Sequence, residues 1–164
     1  AVVQNLSGFG CHIVAHDPYP SEEMKKMGVE YVSLDSLYAQ SDIVTLHTFL
    51  NDETFHMINA ESIRKMKPGV VIINCARGAL IKENELVECL KDGTLFQAGL
   101  DVFEHEPIQE SSRELFNLDN VIMTPHMAAT TEQSVLNCCT SVANDIVAVC
   151  NGQEPKVKAQ KPKF

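Results

Sequence analysis

Three ionisable side chains of complementary chemistry, Arg77, Glu106 and His126, each follow a predicted β-strand. An arginine at a strand end offers a planar fork of N–H donors that suits a carboxylate. A glutamate bonded to one imidazole nitrogen fixes the histidine tautomer and favours its protonated form, which leaves the other nitrogen as a general acid. Taken alone, such an arginine more often belongs to a structural ion pair. Because all three residues follow successive strands of one sheet, their combination favours an active site.

Asp17 is a fourth candidate, because it follows the first predicted strand. An acidic residue at this place in a dinucleotide-binding fold accepts hydrogen bonds from the adenosine ribose and repels the extra phosphate of NADP, so Asp17 favours NAD. An Asx turn before Pro18 explains the residue equally well. The loop over residues 48–54 fits either an apolar adenine pocket or a capped surface loop.

Strand and helix patterns alternate from residue 11 to about 125, which is typical of βαβ units on a parallel sheet. The predicted strands are Cys11–His16, Glu30–Val32, Ile43–His47, Val70–Asn74, Gln97–Asp101 and Val121–Met123. Their nearly continuous apolar content predicts helices on both faces. The predicted fold class is therefore α/β, a doubly wound, Rossmann-like parallel sheet that binds ligands at the carboxyl ends of its strands.

Helices are predicted over about residues 21–27, 34–40, 60–66 and 83–91, and Asn59 and Gly93 are suited to bound two of them. A longer helix is predicted over about 131–149. Its apolar residues recur at spacings of four and three and predict a stripe that faces the core: Val135, Cys139, Val142, Ile146 and Val149. We interpret the adjacent Cys138 and Cys139 as small buried residues rather than a redox pair.

The composition is that of a globular domain, with 164 residues, 45% of them hydrophobic and 21% charged. No apolar run approaches the roughly 18 residues of a membrane helix, and no basic-then-apolar leader is visible, so membrane insertion and secretion are disfavoured. The formal net charge of −9 disfavours nucleic acid as a partner. Six cysteines without C-x-x-C spacing predict reduced thiols, a cytoplasmic location and no metal site.

The glycine-rich fingerprint of dinucleotide folds lies about twenty residues before the acidic residue, and the sequence before Asp17 does not contain it. Gly8 and Gly10 precede a strand instead of opening a helix, so we interpret them as a helix stop and turn. The chain is therefore predicted to begin inside a βαβ unit. We expect a partial NAD-binding domain over residues 1–152 and a basic tail over 153–164, with Lys156, Lys158, Lys161 and Lys163.

Five ordered stretches resemble the nucleotide-binding domain of the D-isomer-specific 2-hydroxyacid dehydrogenases. They are Ala15–Tyr19, Ser41–His47, Met66–Ile81, Gly99–Pro107 and Asn120–His126, so the resemblance covers the chain to about Gly152. It implies that Arg77 grips the substrate carboxylate and carbonyl and that Glu106 orients and charges His126. His126 would then protonate the carbonyl oxygen as hydride arrives.

The same resemblance implies NAD as the cofactor, a small 2-oxo or 2-hydroxy acid as the substrate, and a homodimer. It places Asp17 at the adenosine ribose and Asp101 near the nicotinamide carboxamide. The other residues expected along the cofactor are His47, Thr48, Cys75, Ala76 and His126. The family's glycine-rich loop and most of its substrate domain are not in this sequence, so we expect these 164 residues to be inactive by themselves.

Two features leave the substrate open. Residues 17–20 and 29–32 look like D-lactate dehydrogenases, whereas Met127–Thr130 looks more like phosphoglycerate dehydrogenases or glyoxylate/hydroxypyruvate reductases. Phe49 also stands where the family usually has proline, which puts the shape of the adenine loop in question.

The favoured hypothesis is a parent enzyme that reduces a 2-oxo acid to a D-2-hydroxy acid with NADH. A first alternative is an NAD-sensing corepressor of the C-terminal-binding-protein type, which shares the fold and acts through partners. A second is an inactive remnant that aggregates or recruits a partner strand, because loss of a central strand exposes backbone groups and apolar faces.

Overall fold

The computed structural model describes residues 1–158, apart from the side chain of Ser111. Within this range the strands are β1 (Val14–Ala15), β2 (Glu30–Tyr31), β3 (Ile43–Leu46), β4 (Val71–Asn74), β5 (Gln97–Leu100) and β6 (Val121–Met123). The α-helices are α1 (Val2–Leu6), α2 (Glu22–Lys26), α3 (Leu34–Gln40), α4 (Ala60–Arg64), α5 (Glu83–Lys91) and α6 (Glu132–Cys150). Three short 3₁₀ helices cover Ser7–Phe9, Gly78–Leu80 and Glu110–Asn117.

All strand pairs are parallel, as predicted, but the strands form two ladders instead of one. β1 pairs with β2, and a separate four-stranded sheet has the order β3-β4-β5-β6. Strands β3 to β6 agree with their predicted bounds to within one residue. β1 has only two residues, because its pairing is limited to Val14 with Glu30 and Ala15 with Tyr31. Among the described residues, β1 and β3 have no second neighbour that would join the ladders.

The hydrophobic core lies on one face of the four-stranded sheet. Alternate strand residues such as Val44, Ile72 and Leu100 are buried there, together with apolar residues of α3, α4 and α5. The opposite face is open in this structure, since Ile43 is 60% and Ile122 76% exposed. Continuous apolar strands show that both faces favour burial, but they do not show what covers each face.

Local signals at the helix ends are confirmed. The Asn59 side chain accepts hydrogen bonds from the backbone N–H of Glu61 and Ser62, and the Ser62 hydroxyl accepts from the N–H of Asn59, which completes a capping box at the start of α4. Gly93 follows α5 with φ of 79°, and Gly10 ends the first 3₁₀ helix with φ of 69°. Such capping depends on neighbouring residues only, which is why the sequence predicts it.

The chain divides into two compact units, Ala1–Pro125 and His126–Phe164. The second contains α6, whose bounds agree with the prediction but whose environment does not. No residue of α6 is buried, and Val135, Val142 and Ile146 are each more than half exposed. The predictions of a core-facing stripe and of buried Cys138 and Cys139 are therefore wrong in this structure. The unit has no other helix or strand among its described residues to cover α6.

The described part of the predicted basic tail is held near α6. The Asp145 carboxylate accepts hydrogen bonds from the backbone N–H of Lys156 at 2.8 Å and of Val157 at 3.2 Å. Lys161 and Lys163 lie outside the described residues. Within residues 1–158 no helix has both the length and the apolarity needed to cross a membrane.

Candidate functional site

The carboxyl ends of three neighbouring strands bring several predicted residues to one edge of the sheet. Leu46 of β3 lies opposite Asn74 of β4, which lies opposite Leu100 of β5. The residues that follow are His47 and Thr48 after β3, Cys75, Ala76 and Arg77 after β4, and Asp101 after β5. Because the strands are parallel and in register, these side chains share the edge at which ligands of such sheets bind.

The loop after β4 is fixed by a residue that the sequence analysis did not single out. Asn74 is fully buried. Its side-chain oxygen accepts from the Ala76 N–H at 3.0 Å, and its side-chain nitrogen donates to the Arg77 carbonyl at 2.9 Å. These bonds set the loop that presents the exposed Arg77 side chain. The sequence does contain a signal for this role, because Asn74 is a polar residue at the end of an apolar strand. A buried polar side chain at such a place needs hydrogen-bond partners.

Gly78 allows the loops after β4 and β5 to touch. A Cβ atom on Gly78 would lie 1.9 Å from the carbonyl oxygen of Phe103 and 2.5 Å from the nitrogen of Glu104. Both contacts are to backbone, which cannot rotate away as a side chain can. A glycine here is therefore required by the close approach of the two loops.

We expect Gly78→Ala to destabilise the protein by about 3 kcal/mol, because the added methyl overlaps backbone atoms and forces the loops apart. Gly99→Ala is the matched control. Its Cβ would meet only the Ile73 side chain, at an ordinary 3.8 Å, and its effect should stay within about 0.5 kcal/mol. Chemical denaturation of both variants measures the difference. Equal stabilities for the two variants would contradict the close approach.

Asp101 is buried at this edge, whereas Cys75 beside it is exposed. Asp101 is 3% exposed, and its carboxylate accepts a hydrogen bond from the Thr124 hydroxyl at 2.5 Å. Partial desolvation of the thiol, and then the negative charge of Asp101, raise the pKa of Cys75. Cys75 therefore stays protonated and uncharged near neutral pH, as suits a residue that lines a cofactor site rather than a nucleophile.

Asp17 follows β1 and forms the Asx turn considered as its alternative role. Its carboxylate accepts a hydrogen bond from the Tyr19 N–H at 2.7 Å, and the residue is exposed. An ionised carboxylate has two oxygens and about four acceptor positions. The turn therefore orients Asp17 without using all of its capacity to accept hydrogen bonds from ribose hydroxyls.

Glu106 and His126 follow β5 and β6, which are neighbouring strands as predicted. The Glu106 carboxylate accepts a hydrogen bond from the Phe103 N–H at 3.0 Å, so it is held against its own loop. His126 has φ of 51°, a left-handed conformation that is uncommon outside glycine and often found at active sites. The hydrogen bond between Glu106 and His126 stays a prediction.

The donor set of this edge fits a dinucleotide better than a metal. The Asp101 carboxylate suits a carboxamide N–H and the Asp17 carboxylate, after β1, suits ribose hydroxyls, while His47, Thr48, Cys75 and Ala76 add no further carboxylate. No group of three or more His, Cys, Asp or Glu side chains in the described part of the chain is placed to hold a metal ion.

The sequence model of the D-isomer specific 2-hydroxyacid dehydrogenase, NAD binding domain, matches residues 1–128. The chain belongs to this family. Its cofactor is NAD, as Asp17 predicts, and its fold class is the predicted Rossmann-like α/β fold.

Comparison with individual proteins gives the same family. The chain is 44% identical to the D-3-phosphoglycerate dehydrogenase of Methanocaldococcus jannaschii, over 93% of this chain and 29% of that protein. It is 47% identical to the hydroxypyruvate reductase of Thermotoga maritima, over 81% of this chain and 43% of that protein. The solved structure of D-lactate dehydrogenase with NAD+ from Lactobacillus jensenii superposes with a TM-score of 0.89 at 30% identity, over 98% of this chain and 52% of that one.

The chain therefore spans about half or less of the length of these relatives. Nothing in these matches supports the corepressor-like alternative. The roles assigned to individual residues stay predictions, because neither the family match nor the fold tests them one by one.

Proposed function

We propose that the whole protein reduces a small 2-oxo acid to a D-2-hydroxy acid with NADH. The observation that carries this proposal is the arrangement at the sheet edge. The loop with Arg77, fixed by Asn74, lies against the loop that holds Asp101 and Glu106. A cation that suits a carboxylate thus stands beside residues that suit a nicotinamide.

Each residue has a separate task in the proposed reaction. Arg77 donates two parallel N–H bonds to the substrate and so fixes the carbonyl carbon in place. His126 donates a proton from a ring nitrogen to the carbonyl oxygen, while Glu106 holds the ring in position. Bound NADH supplies the hydride that goes to the carbonyl carbon. The products are the hydroxy acid and NAD+, and His126 regains its proton from solvent.

An assay on the whole protein tests the proposal. NADH oxidation is followed with pyruvate, glyoxylate and hydroxypyruvate, and the configuration of any chiral product is determined by chiral chromatography. Turnover of at least one acid, with the D-product where the product is chiral, is expected. No turnover of any of the three, or an L-product, would contradict the proposal.

Asp17 is expected to set the preference of the enzyme for NADH over NADPH. Asp17→Asn removes the negative charge but keeps a side-chain oxygen that can accept from the Tyr19 N–H. We expect kcat/KM for NADPH relative to NADH to rise about 10-fold, because the like-charge repulsion of the extra phosphate is lost. Steady-state kinetics with both cofactors measure this ratio. Asp35→Asn, an exposed carboxylate on α3, is the control, and an unchanged ratio in Asp17→Asn would contradict the ribose role.

We also propose a cytoplasmic homodimer whose partners are small acids rather than nucleic acid or membranes. The acidic net charge of −9 and six cysteines without disulfides support the location and the partner class. The dimer is supported by the family resemblance, and light scattering of the whole protein tests it.

A further inference from the structure

Glu104 connects three loops at the sheet edge, although nothing in its sequence context assigned it a task. It lies in the loop after β5, two residues before Glu106, and its side chain is 21% exposed. One carboxylate oxygen lies 2.8 Å from Nε2 of His56, in the loop after β3. The other accepts a hydrogen bond from the Glu83 N–H at 3.2 Å, at the start of α5.

Glu83, the first residue of α5, makes the return contact. Its carboxylate accepts from the Glu104 N–H at 3.1 Å, so the two glutamates form a reciprocal pair. The residue before α5, Lys82, provides no side-chain cap, and the Glu104 carboxylate supplies the missing acceptor at the positive end of the helix. The start of α5 is thus capped from a different loop.

His56 attaches the third loop to both of the others. Its ring stacks on Phe55 with centroids 3.8 Å apart, and its backbone N–H donates to the Ala79 carbonyl at 2.9 Å. It adopts φ of 53°, a left-handed conformation that a bulky residue keeps only where its surroundings require it. The ring is thereby directed at Glu104.

Burying two glutamate side chains to join these loops has a free-energy cost. Glu83 is 7% exposed, so the pair withdraws two polar side chains from water, and each must be satisfied by the partners it finds in the protein. Apolar or neutral residues would join the loops at lower cost. Such local costs are most often found where precise placement of neighbouring groups is needed.

We propose that Glu104 is a positioning residue for the reaction, an inference that rests on the proposed function. It fixes Phe103, whose carbonyl touches Gly78 next to Arg77 and whose N–H binds Glu106. Through these contacts Glu104 sets the distance between the group that grips the substrate and the group that orients the acid. It does not contact the substrate itself.

Glu104→Gln in the whole protein tests this inference. The change keeps the size of the side chain and removes one acceptor and the charge. We expect kcat to fall about 10- to 100-fold, because small displacements of reacting groups have effects of this size. KM for NADH should change less than kcat does, since Asp17, at the expected adenosine end of the cofactor, is not held by Glu104.

Glu85→Gln is the matched control. The Glu85 carboxylate also joins two segments, since it accepts from the Ala60 N–H at 2.8 Å and pairs with Lys82 at 2.5 Å. It makes no contact with the loop after β5 among the described residues. The Glu85→Gln variant should be destabilised to a similar extent as Glu104→Gln, but its kcat should stay within about twofold of the wild-type value. Equal kcat values in the two variants would overturn the inference.

A second measurement does not depend on turnover. Hydrogen–deuterium exchange of Glu104→Gln should be faster than in the wild type over residues 75–82 and 101–107 and unchanged over β3 and β4. If both loops of Glu104→Gln kept the protection of the wild type, the inference would be overturned. This outcome is independent of the activity assay, in which a failure to reduce any 2-oxo acid would refute the proposed function instead. If Glu104→Gln does not fold, Glu104→Asp, which keeps the charge but has a shorter reach, replaces it in both measurements.

Discussion

Replacing His126 by alanine is expected to lower kcat for 2-oxo acid reduction by about 10²–10⁴-fold in the whole protein. The carbonyl oxygen gains negative charge as hydride reaches the carbon, and without a proton donor this charge must be met by water. Substrate binding should change much less, because Arg77 holds the carboxylate. The loss therefore appears in kcat more than in KM, which steady-state kinetics at saturating NADH will show.

Two further variants separate this role from a general loss of structure. Glu106→Gln should also lower kcat, and combining it with His126→Ala should add little, since Glu106 acts through His126. His12→Ala is the control, because His12 is exposed and pairs only with Glu30 on the two-stranded sheet among its described contacts. An unchanged kcat in His126→Ala would exclude it as the acid.

Those parts of the fold that depend on neighbouring residues could be predicted from the sequence. The cap at Asn59 and the turn of Asp17 both depend on contacts within a few residues. The position of the candidate residues also followed, because ligand-binding residues of a parallel sheet lie at the carboxyl ends of its strands. The edge with Arg77 and Asp101 could therefore be located before the structure was known.

The parts that could not be predicted depend on contacts between distant segments. Glu104 meets His56 across 48 residues of sequence and Glu83 across 21, and no spacing rule connects them. The apolar stripe of α6 was predicted correctly as a pattern but wrongly as buried, because amphipathicity shows which face favours burial and not what covers it. The same reasoning explains the open face of the sheet at Ile43 and Ile122.

Arg77→Ala is expected to lower kcat/KM for the 2-oxo acid by about 10²–10³-fold, the effect of removing a donor aimed at the reacting group. Arg77→Lys should lie between the alanine variant and the wild type. It keeps the positive charge but loses the planar fork that binds a carboxylate through two parallel bonds. KM for NADH should stay nearly constant in both variants, so kinetics with each substrate varied in turn distinguish loss of the acid from loss of the cofactor.

Arg113→Ala is the control for charge, because Arg113 is an exposed arginine paired at 2.8 Å with Glu110 within one 3₁₀ helix. Its kcat/KM should match the wild type. The local fold around Arg77 should survive both substitutions, since Asn74 binds the Arg77 carbonyl, whereas the guanidinium donates to the carbonyl of the adjacent Ala76 at 2.6 Å. If Arg77→Lys reached the wild-type rate, a point charge would be enough at this position. The proposed two-bond grip on the substrate carboxylate would then be wrong, although a positive charge at the sheet edge would still be needed to explain any loss in Arg77→Ala.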